Sequence, residues 1–193
     1  MSKTVSSPIH ALFNNNSIRK TVVHLRVPIG LLLFIVILTQ LHPGWFLPGL
    51  LVSCLGQMLQ VWCMSTIKTQ KKLTTTGPYM FVRNPMYLGR FFLIFGVLMM
   101  TGNPFLLILL VIVYYFYMVN RVKREERSLA GIFGKDYEDY CRDVHPYLPG
   151  LKRFDPASLW SFNKESFVQN NVLTNIAVPF VCYITLYLVA RIH

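Results

Sequence analysis

The 193-residue chain is 53% apolar and carries a formal net charge of +11. Its apolar residues are gathered into blocks that reach or approach the roughly 20 residues needed to cross a hydrocarbon core of about 30 Å, which excludes an ordinary soluble domain. The basic residues lie between those blocks, so anionic lipid headgroups are the expected partner and nucleic acid is not.

Residues 1–20, MSKTVSSPIHALFNNNSIRK, are too polar for a signal sequence, and the first apolar block is expected to be retained. That block starts at residue 22 or 27 and runs to 41, with Pro28 tolerable in its first turn. A second span over 45–66 follows the tight turn LHPGWFLPG. Residues 88–101 give a short third span, and 104–120, after the turn TGNP, a fourth that continues into the polar stretch RVKREER. A fifth covers 172–190, where Pro179 is compatible with insertion. The turns at 42–44 and 101–103 hold no Lys or Arg, whereas 68–83 holds Lys68, Lys71, Lys72 and Arg83, and 121–164 holds nine basic residues. The positive-inside rule therefore places both basic segments and the N-terminus in the cytoplasm. The expected fold is all-α, a polytopic membrane bundle of about five transmembrane helices with a cytoplasmic catalytic segment. It forms a single domain over 1–193, divided into a first hairpin (22–66), a catalytic half (67–149), and a linker with the last helix (150–193).

All eight carboxylates fall within 125–165, leaving no acid in the lipid-facing runs. The four cysteines, Cys54, Cys63, Cys141 and Cys182, lack the paired spacing of a metal or redox motif, and no metal site is expected. Nor is there a Gly-rich strand-to-helix turn, an HExxH or a GxSxG. Chemistry must then be built from helix ends and loops. In the second span Ser53, Gln57, Gln60 and Met64 form one stripe, and glutamines there predict hydrogen bonds between helices. Along the fourth span, at about 100° per residue, Tyr114, Tyr117, Arg121 and Glu125 share one face, with Glu126 turned about 100° away. As a plain ion pair Arg121 and Glu125 are worth a few tenths of a kcal/mol; at a lipid–water boundary they also offer a fixed cation and anion to the two ends of a zwitterion.

Residues 77–91 read GPYMFVRNPMYLGRF. Two prolines remove two backbone donors, and Asn84 before Pro85 is held toward extended geometry, so a shaped loop should precede a helix beginning near Met86. Tyr79 and Tyr87 supply flat faces with polar tips, suited to an aromatic, polar ligand.

GPYMFVRNPMYLG resembles the GxYxxxRHPxYxG motif of the isoprenylcysteine carboxyl methyltransferase and phospholipid methyltransferase superfamily. RVKREERSLAGIFGKDYEDYCRDVHPYLP is similar to its second block, an Arg followed by EExxL, FGxxYxxY and a final Pro. The resemblance covers residues 73–149. It implies a membrane methyltransferase that uses S-adenosylmethionine, bound by Lys71, Lys72, Leu73, Thr74, Tyr79, Asn84, Pro85, Met86, Tyr87 and Glu125. Arg121 would be the catalytic and substrate-binding residue beside a lipophilic acceptor from the bilayer, with the site facing the cytoplasm. The membrane would be the inner membrane in a bacterium or the endoplasmic reticulum in a eukaryote. The expected acceptor is an isoprenylcysteine-like carboxylate, already nucleophilic at neutral pH; a phospholipid amine is the alternative, for which His145 is the candidate base. An NADPH-dependent sterol-type reductase is the competing enzyme class. Asn84 stands where the family pattern has His and cannot titrate.

Overall fold

A computed structural model describes residues 16–67 and 72–192. Within them the chain is helical and contains no strand, as the clustered apolar blocks require. Helices α1 (Asn16–His24) and α2 (Arg26–Leu38) follow each other almost in line. Leu25 N still bonds to Thr21 O and Ile29 N to Leu25 O, but regular geometry lapses between them. Pro28 explains the lapse: it has no N–H for the His24 carbonyl, and its ring crowds that carbonyl.

Helices α3 (Pro43–Thr66), α4 (Pro85–Met99) and α5 (Pro104–Phe133) each begin on a proline, whose fixed φ and missing donor suit the first helical position. Asn103 caps α5, its Oδ1 accepting from Phe105 N at 3.0 Å. Helix α6 (Lys135–Asp143) turns off the end of α5 at Gly134, and α7 (Lys164–Gln169) leads into α8 (Val172–Ile192). Three of these, α3, α5 and α8, are long and apolar enough to cross a membrane. The expected spans at 22–41 and 88–101 are apolar helices of 13 and 15 residues, about 20 Å of axis each, and so fall short of the core thickness by themselves. The first is shortened by the break before Pro28. The second ends in the 101–103 turn, where Gly102 takes φ +64 against the Trp45 ring and His42.

The tightest packing is α3 on α4. A Cβ on Gly56 would stand 2.3 Å from Leu93 N, and one on Gly96 2.3 Å from Ser53 N; Gly49 and Gly89 are similarly closed by facing backbone. Small residues at these positions let the two backbones touch, the usual source of affinity between helices in lipid. Ser53 Oγ lies in this seam, donating to Leu93 O at 2.8 Å and bonded to Tyr183 Oη of α8 at 2.7 Å. Gln57 Nε2 bonds Asn175 O at 2.7 Å. The polar stripe of α3 thus joins helices, as expected, although Gln60 contributes by packing on Gly89. His42 N donates to Met100 O at 2.9 Å, which sets the two uncharged turns side by side at one end of the bundle. The basic segments lie at the other end.

Candidate active site

The motif loop reaches α4 through a single buried turn, Gly77–Met80. Gly77 has φ +61, and a Cβ there would press on the Thr66 side chain at 3.0 Å, so the loop can sit against the end of α3 only with glycine at its start. Tyr140 Oη of α6 donates to Tyr79 O at 2.7 Å, Arg83 N donates to His145 O at 3.1 Å, and Gly150 N donates to Phe81 O at 2.9 Å. The segment after α5 is therefore stitched to the motif loop by backbone. The Tyr79 phenol is buried, which raises its pKa first; Cys63, Tyr140 and Glu125 nearby raise it further.

Tyr87, in the first turn of α4, is buried, and its carbonyl accepts from Tyr114 Oη at 2.7 Å. Its own Oη accepts from Arg121 Nε at 3.2 Å, and Arg121 Nη2 pairs with Glu125 Oε1 at 2.9 Å. The rings of Tyr114 and Tyr117 lie 5.7 Å apart and extend this wall, with the Arg90 guanidinium 5.7 Å over the Tyr87 ring. One face of α5 thus meets the motif loop, and Tyr79, Tyr87, Arg121 and Glu125 come together. Arg121 and Glu125 remain 43% and 38% exposed, open enough for a ligand to compete with the pair. Pro85 is buried and Met86 half-buried in the same turn.

Other expected site residues lie elsewhere. Asn84 is turned to the next face of α5, its Nδ2 at 3.4 Å from both Glu126 Oε1 and Pro146 O. Arg83 Nη1 lies 3.4 Å from the same Glu126 oxygen and 2.5 Å from Cys141 Sγ. This second cluster is more buried than the first, with Arg83 and Glu126 at 13% and 24% exposure, and Arg83 Nε is buried without a partner among the described residues. Reading the fourth span by periodicity separated Glu126 from Arg121 but supplied it with no partner, because Arg83 is brought in by the loop. Leu73 packs on the Tyr137, Tyr140 and Val144 cluster, and Lys72 lines a hollow of about 480 Å³ with Phe133, Asp136 and Asp139. Leu129, one turn beyond Glu125 on the same face of α5, packs on that cluster too, whereas Phe133 beside Lys72 is eight residues beyond Glu125, about 12 Å along the helix. Thr74 is half-buried on the way to the Gly77–Met80 turn. Lys71 lies outside the described residues. His145 is a turn builder: its Nδ1 accepts from Tyr147 N at 3.2 Å and Leu148 N at 2.9 Å, which removes that nitrogen as a base.

The loop is closed by charge as well. Lys152 and Arg153 both bind Asp143, the latter at 2.9 Å, and these bonds hold the Asp143 carboxyl below its ordinary range. No group of three or more potential metal ligands occurs among the described residues.

The sequence model of the phospholipid methyltransferase family matches residues 45–136, which includes most of α3, the motif loop and the Arg121 to Glu126 turn. The chain is 32% identical over 150 residues to a protein-S-isoprenylcysteine O-methyltransferase of Schizosaccharomyces pombe, covering 72% of this chain and 61% of that one. It is 30% identical over 116 residues to the enzyme of the same name from Mus musculus, covering 54% of this chain and 41% of that one. A cobalt-zinc-cadmium resistance protein of Cupriavidus metallidurans is 26% identical over 134 residues, covering 68% of this chain and 62% of the relative. No solved structure matches. The chain is a membrane protein that spans about two fifths to three fifths of the length of these curated relatives. With the GPYMFVRNPMYLG loop seated against the Arg121 to Glu126 turn, residues 45–136 are similar to the phospholipid methyltransferase family, and the chain is similar over longer alignments to isoprenylcysteine O-methyltransferases.

Proposed function

We propose that the chain transfers a methyl group from S-adenosylmethionine to a lipophilic carboxylate, such as that of an isoprenylcysteine, at the cytoplasmic face of the membrane. The observation that carries the reading is the meeting of Tyr79 and Tyr87 from the motif loop with Arg121 and Glu125 from α5. The donor set suits the cofactor: Glu125 offers a carboxylate to its ammonium group, while Tyr79, Pro85, Met86 and Tyr87 offer flat and apolar surface to the rest. When bound, the cofactor supplies an activated methyl group on a sulfonium, so little acid–base chemistry is asked of the protein. Arg121 orients the acceptor carboxylate through its guanidinium fork and is itself aimed by Tyr87 Oη. Holding acceptor and donor in line at about 3 to 3.5 Å is the main contribution to rate.

The carboxylate is favoured over an amine acceptor by Arg121. A cation at the acceptor position repels an ammonium, and His145, the expected base, spends Nδ1 on its own turn. Both relatives named as methyltransferases are isoprenylcysteine O-methyltransferases, which supports the same choice. The family match and these names also favour methyl transfer over a sterol-type reduction. Asn84 acts by bridging the loop to Glu126 and Pro146, a role for which a titrating ring is unnecessary.

Calorimetric titration of the purified chain with S-adenosylhomocysteine tests the proposal. Binding is expected, and Glu125→Ala should weaken it at least tenfold, the worth of a charge-assisted bond. Absence of binding, or binding indifferent to that substitution, would refute the site.

A further inference from the structure

A second cavity lies on the side of α3 turned away from α4. It has a volume of about 800 Å³, in the range of ligand pockets, and lies between α3 and the first turn of α8, with Trp160, Phe162 and Phe167 at one end. Its α3 residues, Val61, Trp62 and Ser65 among them, are centred roughly 180° around the helix from Gly56 and Gly49, which face α4. The cavity runs from Gln57 to Thr66, about 13 Å along the axis. It is built by specific bonds: Asn163 N donates to Ser65 O and Asn170 Nδ2 to Met64 O, both at 2.9 Å, which clamps the loop before α7 and the end of α7 to the end of α3.

The lining defines the occupant. None of the described lining residues is charged. Gln57, Ser65, Thr66 and Ser161 each donate to a protein oxygen, at Asn175, Val61, Trp62 and Thr76. Trp62 Nε1 is buried with no acceptor among the described residues. The cavity thus offers hydrocarbon contact, with the Trp62 N–H as its one buried donor that no described acceptor meets and the rest of the Gln57 amide at its exposed mouth. It is continuous with the lipid-facing surface of two membrane-spanning helices: Met58 in its wall is 68% exposed, and Ile176 38%.

We infer that this cavity seats one acyl chain of a bilayer glycerophospholipid, with the chain's ester carbonyl accepting from Trp62 Nε1. Trp62 is four residues before the end of α3, about 6 Å below it, the depth at which ester groups lie in a bilayer interface. A prenyl chain carries no comparable acceptor, and a terminal carboxylate would meet no cation here. The cavity borders the motif loop, with the Trp62 and Phe81 rings 6.4 Å apart and Ser161 Oγ donating to Thr76 Oγ1 at 2.9 Å, but its lining selects a different ligand from the methyl acceptor, and the assignment does not depend on the methyltransferase reading. Two rings flank Trp62: Trp160, stacked on it at 5.9 Å and 81% exposed, and Phe81, tilted against it.

Native mass spectrometry of the full chain, titrated in detergent with dioleoyl phosphatidylcholine and with its dialkyl ether analogue, tests the assignment. The ester lipid should bind about fivefold tighter than the ether, the worth of one hydrogen bond, and Trp62→Phe should abolish that preference. Val61→Trp, which crowds the cavity beside Trp62, should weaken binding of one lipid. S-farnesylcysteine should not displace that lipid. Equal affinity for ester and ether, an ester preference that survives Trp62→Phe, or displacement by S-farnesylcysteine would each overturn the inference. If Val61→Trp does not fold, the comparison of the two lipids on Trp62→Phe still decides.

Discussion

Arg121 is held from two sides, by Tyr87 Oη at Nε and by Glu125 at Nη2, so its guanidinium has a fixed plane while its outer edge stays accessible. Tyr87→Phe keeps the ring and removes one of the two restraints. In a methyl-transfer assay with an S-farnesylcysteine acceptor, kcat should fall about tenfold, the lower value for a bond to a charged group, with S-adenosylhomocysteine affinity within about twofold of wild type. An unchanged kcat would mean that Tyr87 does not aim Arg121. A second residue-scale effect concerns pH. The Asp143 carboxyl is held below its ordinary 3.8 by Lys152 and Arg153, so the folded state favours the ionised form. That stability is present above the unfolded pKa and lost as pH falls through the lower folded one. Asp143→Asn should therefore lower Tm at pH 7, and the two proteins should converge under acid well below pH 3.8. A gap that persists in acid would assign the effect to packing.

Between elements, the α3 and α4 seam depends on missing side chains more than on any bond. Gly56→Ala places a methyl 2.3 Å from Leu93 N, within backbone that cannot yield without separating the helices. It should destabilise by about 1–3 kcal/mol in thermal or denaturant unfolding. Gly131→Ala, at the polar end of α5 where nothing lies within 4 Å, should instead stabilise by about 0.5–1 kcal/mol through helix propensity. If the two variants behave alike, close approach is not what holds α3 to α4. Small residues at these points were visible in the sequence. Their pairing was not, since a glycine in a membrane helix carries no sign of which neighbour approaches it. The polar stripe of Ser53 and Gln57 was the legible part, because a buried donor in lipid must find an acceptor.

For the molecule as a whole, the two uncharged turns lie together at one end, and the motif loop, α6 and the basic stretches lie at the other. With the positive-inside rule this predicts opposite labelling in a background without cysteine. Lys123→Cys should react with an impermeant maleimide only from the cytoplasmic side, and Phe105→Cys, at a position 79% exposed, only from the other. Labelling of both from one side would reverse the topology. At the basic end α6 forms a cap: it buries Tyr137, Tyr140 and Val144 against Leu73 and the end of α5, and Tyr140 ties that cap to the motif loop.

By itself the sequence determined that the chain is helical and embedded in a membrane, that a shaped loop leads into a helix near Met86, and that Arg121 and Glu125 share a face. These follow from local causes: apolar run length, the two prolines of the 77–91 loop, and a period of 3.6 residues per turn. The tertiary structure alone decided that Arg83 and Asn84 turn to Glu126, that Lys72 and Leu73 belong to the α6 flank, and that α3 and α8 enclose a cavity around Trp62. Each of those depends on which residue a loop carries across 40 or more positions to meet another element. Local periodicity holds no record of that pairing, because it is fixed by the closing of the whole bundle.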